Sequence, residues 1–174
     1  MLTMMVISGV IVVGALAALI MSQPDAFQVT RSIEVAAPPE KIAPLIRDFH
    51  AWPGWSPWEK LDPDMKRTYE GAPSGKGAIY SWDGNGGAGA GRMEIIADAP
   101  TKIDIKLNFL RPMVTENLTE FALAPSGGGT SVSWTMSGRN NAMSKAMHAV
   151  MSMDKLVGGD FEKGLAAMKA LAET

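Results

Sequence analysis

Apolar and polar residues alternate along Phe27-Gln-Val-Thr-Arg-Ser-Ile-Glu-Val35, with Phe27, Val29, Ile33 and Val35 on one face, which predicts a strand. Ala37-Pro38-Pro39-Glu40 opens a short helix with proline in its first turn. Ile42, Leu45, Ile46 and Phe49 then recur at helical spacing on one side. His50 to Trp58 is irregular, rich in aromatic residues and proline. Strand patterns follow at Lys66 to Tyr69, Ala78 to Asp83, Arg92 to Ala97, Lys102 to Phe109, Val114 to Leu123 and Thr130 to Ser137. Turn signals separate them: Gly84 to Gly91, Ala99-Pro100, Arg111-Pro112 and Ser126 to Gly129. Such short connections imply an antiparallel meander. From Ala142 to Ala172 the period changes to that of a helix, with Met143, Met147, Val150, Val157, Phe161, Leu165 and Met168 in one stripe. Gly158-Gly159 is the expected point of softening or breakage. A curved sheet with one apolar face needs a cover, and this long helix supplies it. The expected class is α+β, with six to seven antiparallel strands wrapped around a C-terminal helix.

The N-terminus is a different object. No residue before Asp25 is charged, and 17 of the first 21 are Ala, Val, Ile, Leu or Met. As a helix, 21 residues reach about 31 Å, enough to cross a hydrocarbon core. Pro24 would end it. A buried core helix rarely runs uncharged for this length. A cleaved signal peptide has a small-x-small site in Ala15-Leu16-Ala17 but lacks the cationic n-region. The expectation is one transmembrane anchor over 1–24 and a soluble domain over 25–174, a single-pass membrane protein. Arg31, Lys41 and Arg47 come after the span, which by positive-inside counting keeps the domain cytoplasmic. Very short signal anchors often export the domain attached to them, and the extracytoplasmic side is favoured on that ground.

Three stretches carry a resemblance: Ile33-Glu-Val-Ala-Ala-Pro-Pro-Glu-Lys-Ile42, Phe49-His-Ala-Trp-Pro-Gly-Trp-Ser-Pro-Trp58 and Met153-Asp-Lys-Leu-Val-Gly-Gly-Asp-Phe-Glu-Lys-Gly-Leu165. With the order of elements, they resemble the helix-grip fold of the START-like, or SRPBCC, superfamily, in its bacterial polyketide cyclase/dehydrase-like branch. The resemblance covers everything after the anchor. It implies a sheet wrapped around the C-terminal helix, with a cavity between them for an apolar or amphipathic ligand. Members include lipid carriers, receptors, chaperone co-factors and some enzymes, so the resemblance does not fix the activity.

Composition narrows the chemistry. The 16 Lys and Arg against 18 Asp and Glu, net charge −2, argue against a nucleic-acid partner. The absence of cysteine removes disulfides, thiolate metal sites and cysteine nucleophiles. With two histidines, His50 and His148, and no clustered carboxylates, neither a metal site nor a catalytic triad assembles, and no cofactor or metal is expected. Gly84-Asn85-Gly86-Gly87-Ala88-Gly89 matches G-x-G-x-x-G, but a strand rather than a helix comes after it. It reads as a hairpin turn that could form a cavity lip, not a dinucleotide site. Asn117-Leu118-Thr119 matches the glycosylation acceptor pattern but lies within a strand.

Candidate cavity residues come from the inward faces. Trp52, Trp55 and Trp58 sit in a segment where Pro53 and Pro57 forbid a regular helix, so the rings plug one end of the barrel or touch the ligand. Period-2 geometry puts Ile105, Leu107 and Phe109 on one face, and Trp134 with Met136 on another. Tyr80, Trp82, Met93 and Phe121 are expected to point inward from their own strands. The helix offers Met147, Val150, Met151 and Phe161. Asp154 falls on the apolar stripe, four residues after Val150; either the stripe rotates there and Asp154 caps or pairs at the surface, or it is a buried polar anchor for a ligand head group or for a strand-borne arginine such as Arg31 or Arg92. Met143, Met147, Met151, Met153 and Met168 make the helix methionine-rich, suited to plain packing or to a deformable wall. The leading expectation is membrane-tethered binding of a hydrophobic or amphipathic, lipid-like molecule without chemistry. The alternatives are a cyclase-type enzyme using His50 or Asp154 as acid or base, and a protein-interaction module. A large cavity supports the first, converging titratable groups in it the second, and a filled interior with an exposed apolar patch the third.

Overall fold

A computed structural model of the chain describes residue 11, residues 14–148 and residues 151–174. Seven strands form one antiparallel sheet: β1 (Ala26–Val35), β2 (Lys66–Gly71), β3 (Ala78–Asp83), β4 (Ala90–Ala99), β5 (Lys102–Arg111), β6 (Thr115–Ser126) and β7 (Gly129–Arg139). Their order is β1-β7-β6-β5-β4-β3-β2, a meander from β2 to β7 closed on its far side by β1. Helix α1 (Pro39–Arg47) and two short 3-10 turns, Phe49–Gly54 and Pro57–Lys60, lie between β1 and β2. Helices α2 (Ala142–His148) and α3 (Met153–Ala172) come after β7. An antiparallel seven-stranded sheet gripping a C-terminal helix is the helix-grip arrangement.

Alternation sets the register. Val132, Trp134 and Met136 face inward, while Ser133 and Thr135 face outward and meet Ser32 and Thr30 of β1 at 2.8 and 2.9 Å. The C-terminal cover departs from the expected single helix. It does not break at Gly158-Gly159, which lie inside α3. It restarts at Ser152, whose hydroxyl caps the new N-terminus by accepting from the Lys155 N–H. The restart resets the helical phase, so the buried face of α3 is Gly158, Phe161, Gly164, Leu165, Met168 and Ala172. Met143 of the expected stripe is exposed, and so is Met151. Val150 and the His148 side chain lie outside the described residues.

Gly158 has a packing reason. A Cβ there would collide with the Arg31 guanidinium. From β1, Arg31 reaches across this backbone to Asp154 through Nη1 (2.7 Å) and Nη2 (3.1 Å), and to Glu162 through Nε (2.7 Å). Asp154 is therefore on the outer surface, 57% exposed, and not a cavity anchor. It sits in the first turn of α3, where the helix dipole favours an anion.

Residues 14–21 are helical, but half of the expected span, residues 1–10, 12 and 13, falls outside the described residues. Among the described residues no helix is long and apolar enough to cross a membrane. The chain enters the sheet beside α2. Lys145 Nζ is 2.5 Å from Asp25 Oδ1, and Asn140 donates its side-chain amide to Pro24 O at 2.9 Å.

Candidate functional site

Along each central strand the inward face changes from solid to open. On β5, Ile103 and Ile105 are fully buried, whereas Leu107 and Phe109 border a cavity. On β6, Leu123 and Phe121 are packed, whereas Thr119, Asn117 and Thr115 border it. On β4 the change falls between Ile95 and Met93, and on β7 between Val132 and the pair Trp134 and Met136. The solid half lies under the C-terminal part of α3, where Leu165 and Met168 join Ile42 and Ile46 of α1. The open half is a cavity of about 300 Å³, covered by Met153, Val157 and Phe161 of α3 with Ser144 and Met147 of α2.

The tryptophan-rich segment divides between the two halves. Trp55 belongs to the core, 1% exposed, with its indole N–H donated to Leu45 O at 2.8 Å. Trp52 donates to Ile46 O at 3.1 Å and Trp58 stands edge-on to Trp134 and Phe161, and both border the cavity. Prolines 53 and 57 hold the chain in 3-10 turns, which lets three rings point into the barrel from nine residues.

Of the expected cavity residues, the structure brings together Trp52, Trp58, Tyr80, Trp82, Met93 and Leu107 with Phe109, Trp134, Met136, Met147 and Phe161. Trp55, Ile105 and Phe121 are core instead, because the barrel is filled at their end. Met151, in the bend between α2 and α3, is exposed, and Asp154 is on the outer surface, displaced by the restart of α3. His50 also lies outside, stacked on Tyr69 with ring centroids 4.0 Å apart and its Nδ1 2.9 Å from Asp48. Neither His50 nor Asp154 can serve as an acid or base for a molecule in this cavity. The glycine loop is a β3–β4 hairpin: Asn85 Oδ1 accepts from the Gly87 and Ala88 N–H groups, and Ala88 forms part of the cavity lip.

Sequence reasoning missed the polar wall. Glu59, in the second 3-10 turn, is buried and borders the cavity. Its Oε1 accepts from the Tyr80 hydroxyl at 2.5 Å, and its Oε2 accepts from Arg67 Nε at 2.7 Å. Burial and the hydrogen bond to Glu59 hold the Tyr80 phenol well above the usual tyrosine range, so it stays protonated and donating. One signal was readable: the alternation Lys66-Arg67-Thr68-Tyr69 turns Arg67 inward, and an inward arginine needs a buried acceptor.

Residues 26–173 match the family described as polyketide cyclase / dehydrase and lipid transport. The chain belongs to that family. No curated protein matches the sequence. Among solved structures, protein CV1439 from Chromobacterium violaceum is similar at TM-score 0.58 and 17% identity, over 87% of this chain and 99% of that one. The di-domain ARO/CYC protein BexL from the BE-7585A biosynthetic pathway is similar at TM-score 0.64 and 15% identity, over 90% of this chain and 53% of that one. The di-domain ARO/CYC protein StfQ from the steffimycin pathway gives TM-score 0.63 and 13% identity, over 85% and 51%. This chain thus spans about half the length of the two di-domain proteins. At these identities the likeness is one of fold. Membership of the polyketide cyclase / dehydrase and lipid transport family supports a role in hydrophobic-ligand binding or in cyclisation.

Proposed function

We propose that this chain binds a hydrophobic or amphipathic, lipid-like molecule in its internal cavity, and that residues 1–24 tether the domain to a membrane. The observation that carries the reading is the change from solid core to open space along the same strand faces. Close packing is the rule in protein interiors, so about 300 Å³ left open beside aromatic and methionine side chains is a specific provision. Ligand pockets begin at roughly that volume. The tether reading rests on the uncharged, apolar N-terminal sequence. Native mass spectrometry of the detergent-extracted full chain tests the binding reading. A reproducible small-molecule adduct is expected. An adduct-free protein that also fails to take up an apolar fluorescent probe would overturn it.

A second reading, a cyclase- or dehydratase-type enzyme, is favoured by one observation. The Tyr80 hydroxyl and the Glu59 carboxylate, 2.5 Å apart in the cavity wall, are a proton donor and acceptor of the kind acid–base catalysis uses. ARO/CYC proteins among the fold neighbours lend it support. Turnover of a poly-β-ketone by the wild-type chain, lost in Tyr80→Phe, would establish it.

A further inference from the structure

Within the Glu59 cluster the side-chain donor that borders the cavity, the Tyr80 hydroxyl, is already committed. Tyr80 gives its hydroxyl proton to Glu59 Oε1. Arg67 gives Nε to Glu59 Oε2, Nη1 to Met65 O at 2.9 Å and Nη2 to Glu59 O at 3.0 Å. What remains unspent is acceptor capacity. A carboxylate offers about four lone-pair sites and a phenol oxygen two more, and the side-chain bonds here use two of Glu59's, both charge-assisted or short. This spare capacity borders a cavity whose other walls are mainly aliphatic and aromatic, with Ser56, Thr115, Asn117, Thr119, Ser144 and Arg139 among them and the buried Trp134 indole N–H without a hydrogen-bond partner among the described residues.

We propose that the Glu59 carboxylate, held by Tyr80 and Arg67, is the recognition point for a hydrogen-bond donor on the ligand, so that the cavity selects an apolar molecule carrying a neutral hydroxyl and rejects one carrying a carboxylate. The inference rests on the cavity-binding reading above and gives it a ligand class. A neutral hydroxyl supplies a donor, which the cluster does not present to the cavity. A carboxylate has no proton to give and would bring a second negative charge against a buried first one, at a distance where water cannot screen it. Among the described residues, the only other charged group on the cavity wall is Arg139, which is exposed.

Calorimetric titration of the full-length, detergent-solubilised protein with naphthalene, 2-naphthol and 2-naphthoate at about pH 7 tests this, because the three share one apolar body. The wild type should bind 2-naphthol about tenfold more tightly than naphthalene, the scale of one hydrogen bond to a charged acceptor, and should bind 2-naphthoate more weakly than either. Glu59→Gln keeps the size of the side chain and removes its charge, and should bring 2-naphthol and 2-naphthoate to within about twofold of each other. Tyr80→Phe leaves the carboxylate in place and should keep the preference, which guards against a Glu59→Gln chain that fails to fold. Equal binding of the two derivatives by the wild type, or tighter binding of 2-naphthoate through Arg139, overturns the inference and leaves the cavity-binding reading standing. Loss of the preference in Tyr80→Phe, or its persistence in folded Glu59→Gln, also overturns it. If none of the three compounds binds, naphthalene included, the cavity-binding reading falls and takes this inference with it.

Discussion

Trp134 and Phe161 lie face to face, their ring centroids 4.2 Å apart and their planes within 3° of parallel. Phe121 covers the other side of Trp134 at 4.9 Å, and Trp55 and Trp58 meet it edge-on. Trp134 therefore borders the cavity with both faces already packed. Its truncation should behave as a core deletion. Trp134→Ala is expected to destabilise by roughly 3–5 kcal/mol, read by urea denaturation. A loss under about 1 kcal/mol, the range of a surface change, would mean that the stack is not formed in solution.

Two glycines of α3 should respond oppositely to alanine. Around Gly159 nothing stands within 4 Å of a new Cβ. Gly159→Ala should stabilise by about 1 kcal/mol through helix propensity. At Gly164 the new Cβ would sit 2.9 Å from the Trp134 ring and 3.2 Å from Pro57, neither of which can swing aside. Gly164→Ala should lose about 1–3 kcal/mol to overpacking despite the same gain in propensity. Melting temperatures of the pair decide it, and a stabilised Gly164→Ala would refute the close approach of helix and sheet.

Legibility depended on how much each element owes to its own sequence. β5 and β7 were readable because Ile103, Ile105 and Leu107, and Val132, Trp134 and Met136, alternate with polar residues on a sheet wet on one side. The cavity residues on those strands were readable by the same rule, but the rule says inward, not open. Ile105 and Leu107 share a face, and only the packing of α1 and the tryptophan segment against one end makes the first core and the second cavity wall. Of the two readings of Asp154, the surface pairing is the one found; the buried anchor fails because the stripe was counted from Val150 across a helix restart that Ser152 imposes. Glu59 was passed over because a glutamate beside a lysine reads as solvated. Its burial depends on Arg67 and Tyr80, eight and 21 residues away.

Acid should loosen the clasp between β1 and α3. The Arg31 hydrogen bonds, with its charge, hold the Asp154 carboxyl below its ordinary value. A carboxyl whose value is depressed in the folded state contributes stability above its unfolded value and loses it as pH falls. The contribution is thus complete above about pH 4 and is withdrawn below it. Asp154→Asn should be less stable than wild type at neutral pH, and the two should converge as the pH falls progressively below about 4. Denaturation midpoints across this range provide the check, and a gap that widens with acid would reverse the assignment.

Removing the residues before Pro24 should shift the protein from the membrane fraction to the soluble fraction and leave it folded. Pro24 and Asp25 are kept because they bond to Asn140 and Lys145. Fractionation and circular dichroism report both parts. An unfolded product would show that the N-terminal segment is part of the domain.

The attachment of Asp25 to Lys145 fixes more than the end of a strand. Only four residues, 22–25, separate the N-terminal helical stretch from β1. Fully extended, they span at most about 14 Å. The point where they join the domain is pinned to α2, the helix whose Ser144 and Met147 border the cavity. A leash this short leaves the domain almost no freedom to roam. Wherever the N-terminal segment resides, the cavity's edge is held beside it. For a segment seated in a bilayer, a molecule leaving the lipid would face a search of a few headgroup widths rather than a diffusion through bulk water, at an effective concentration set by the leash and not by the cell.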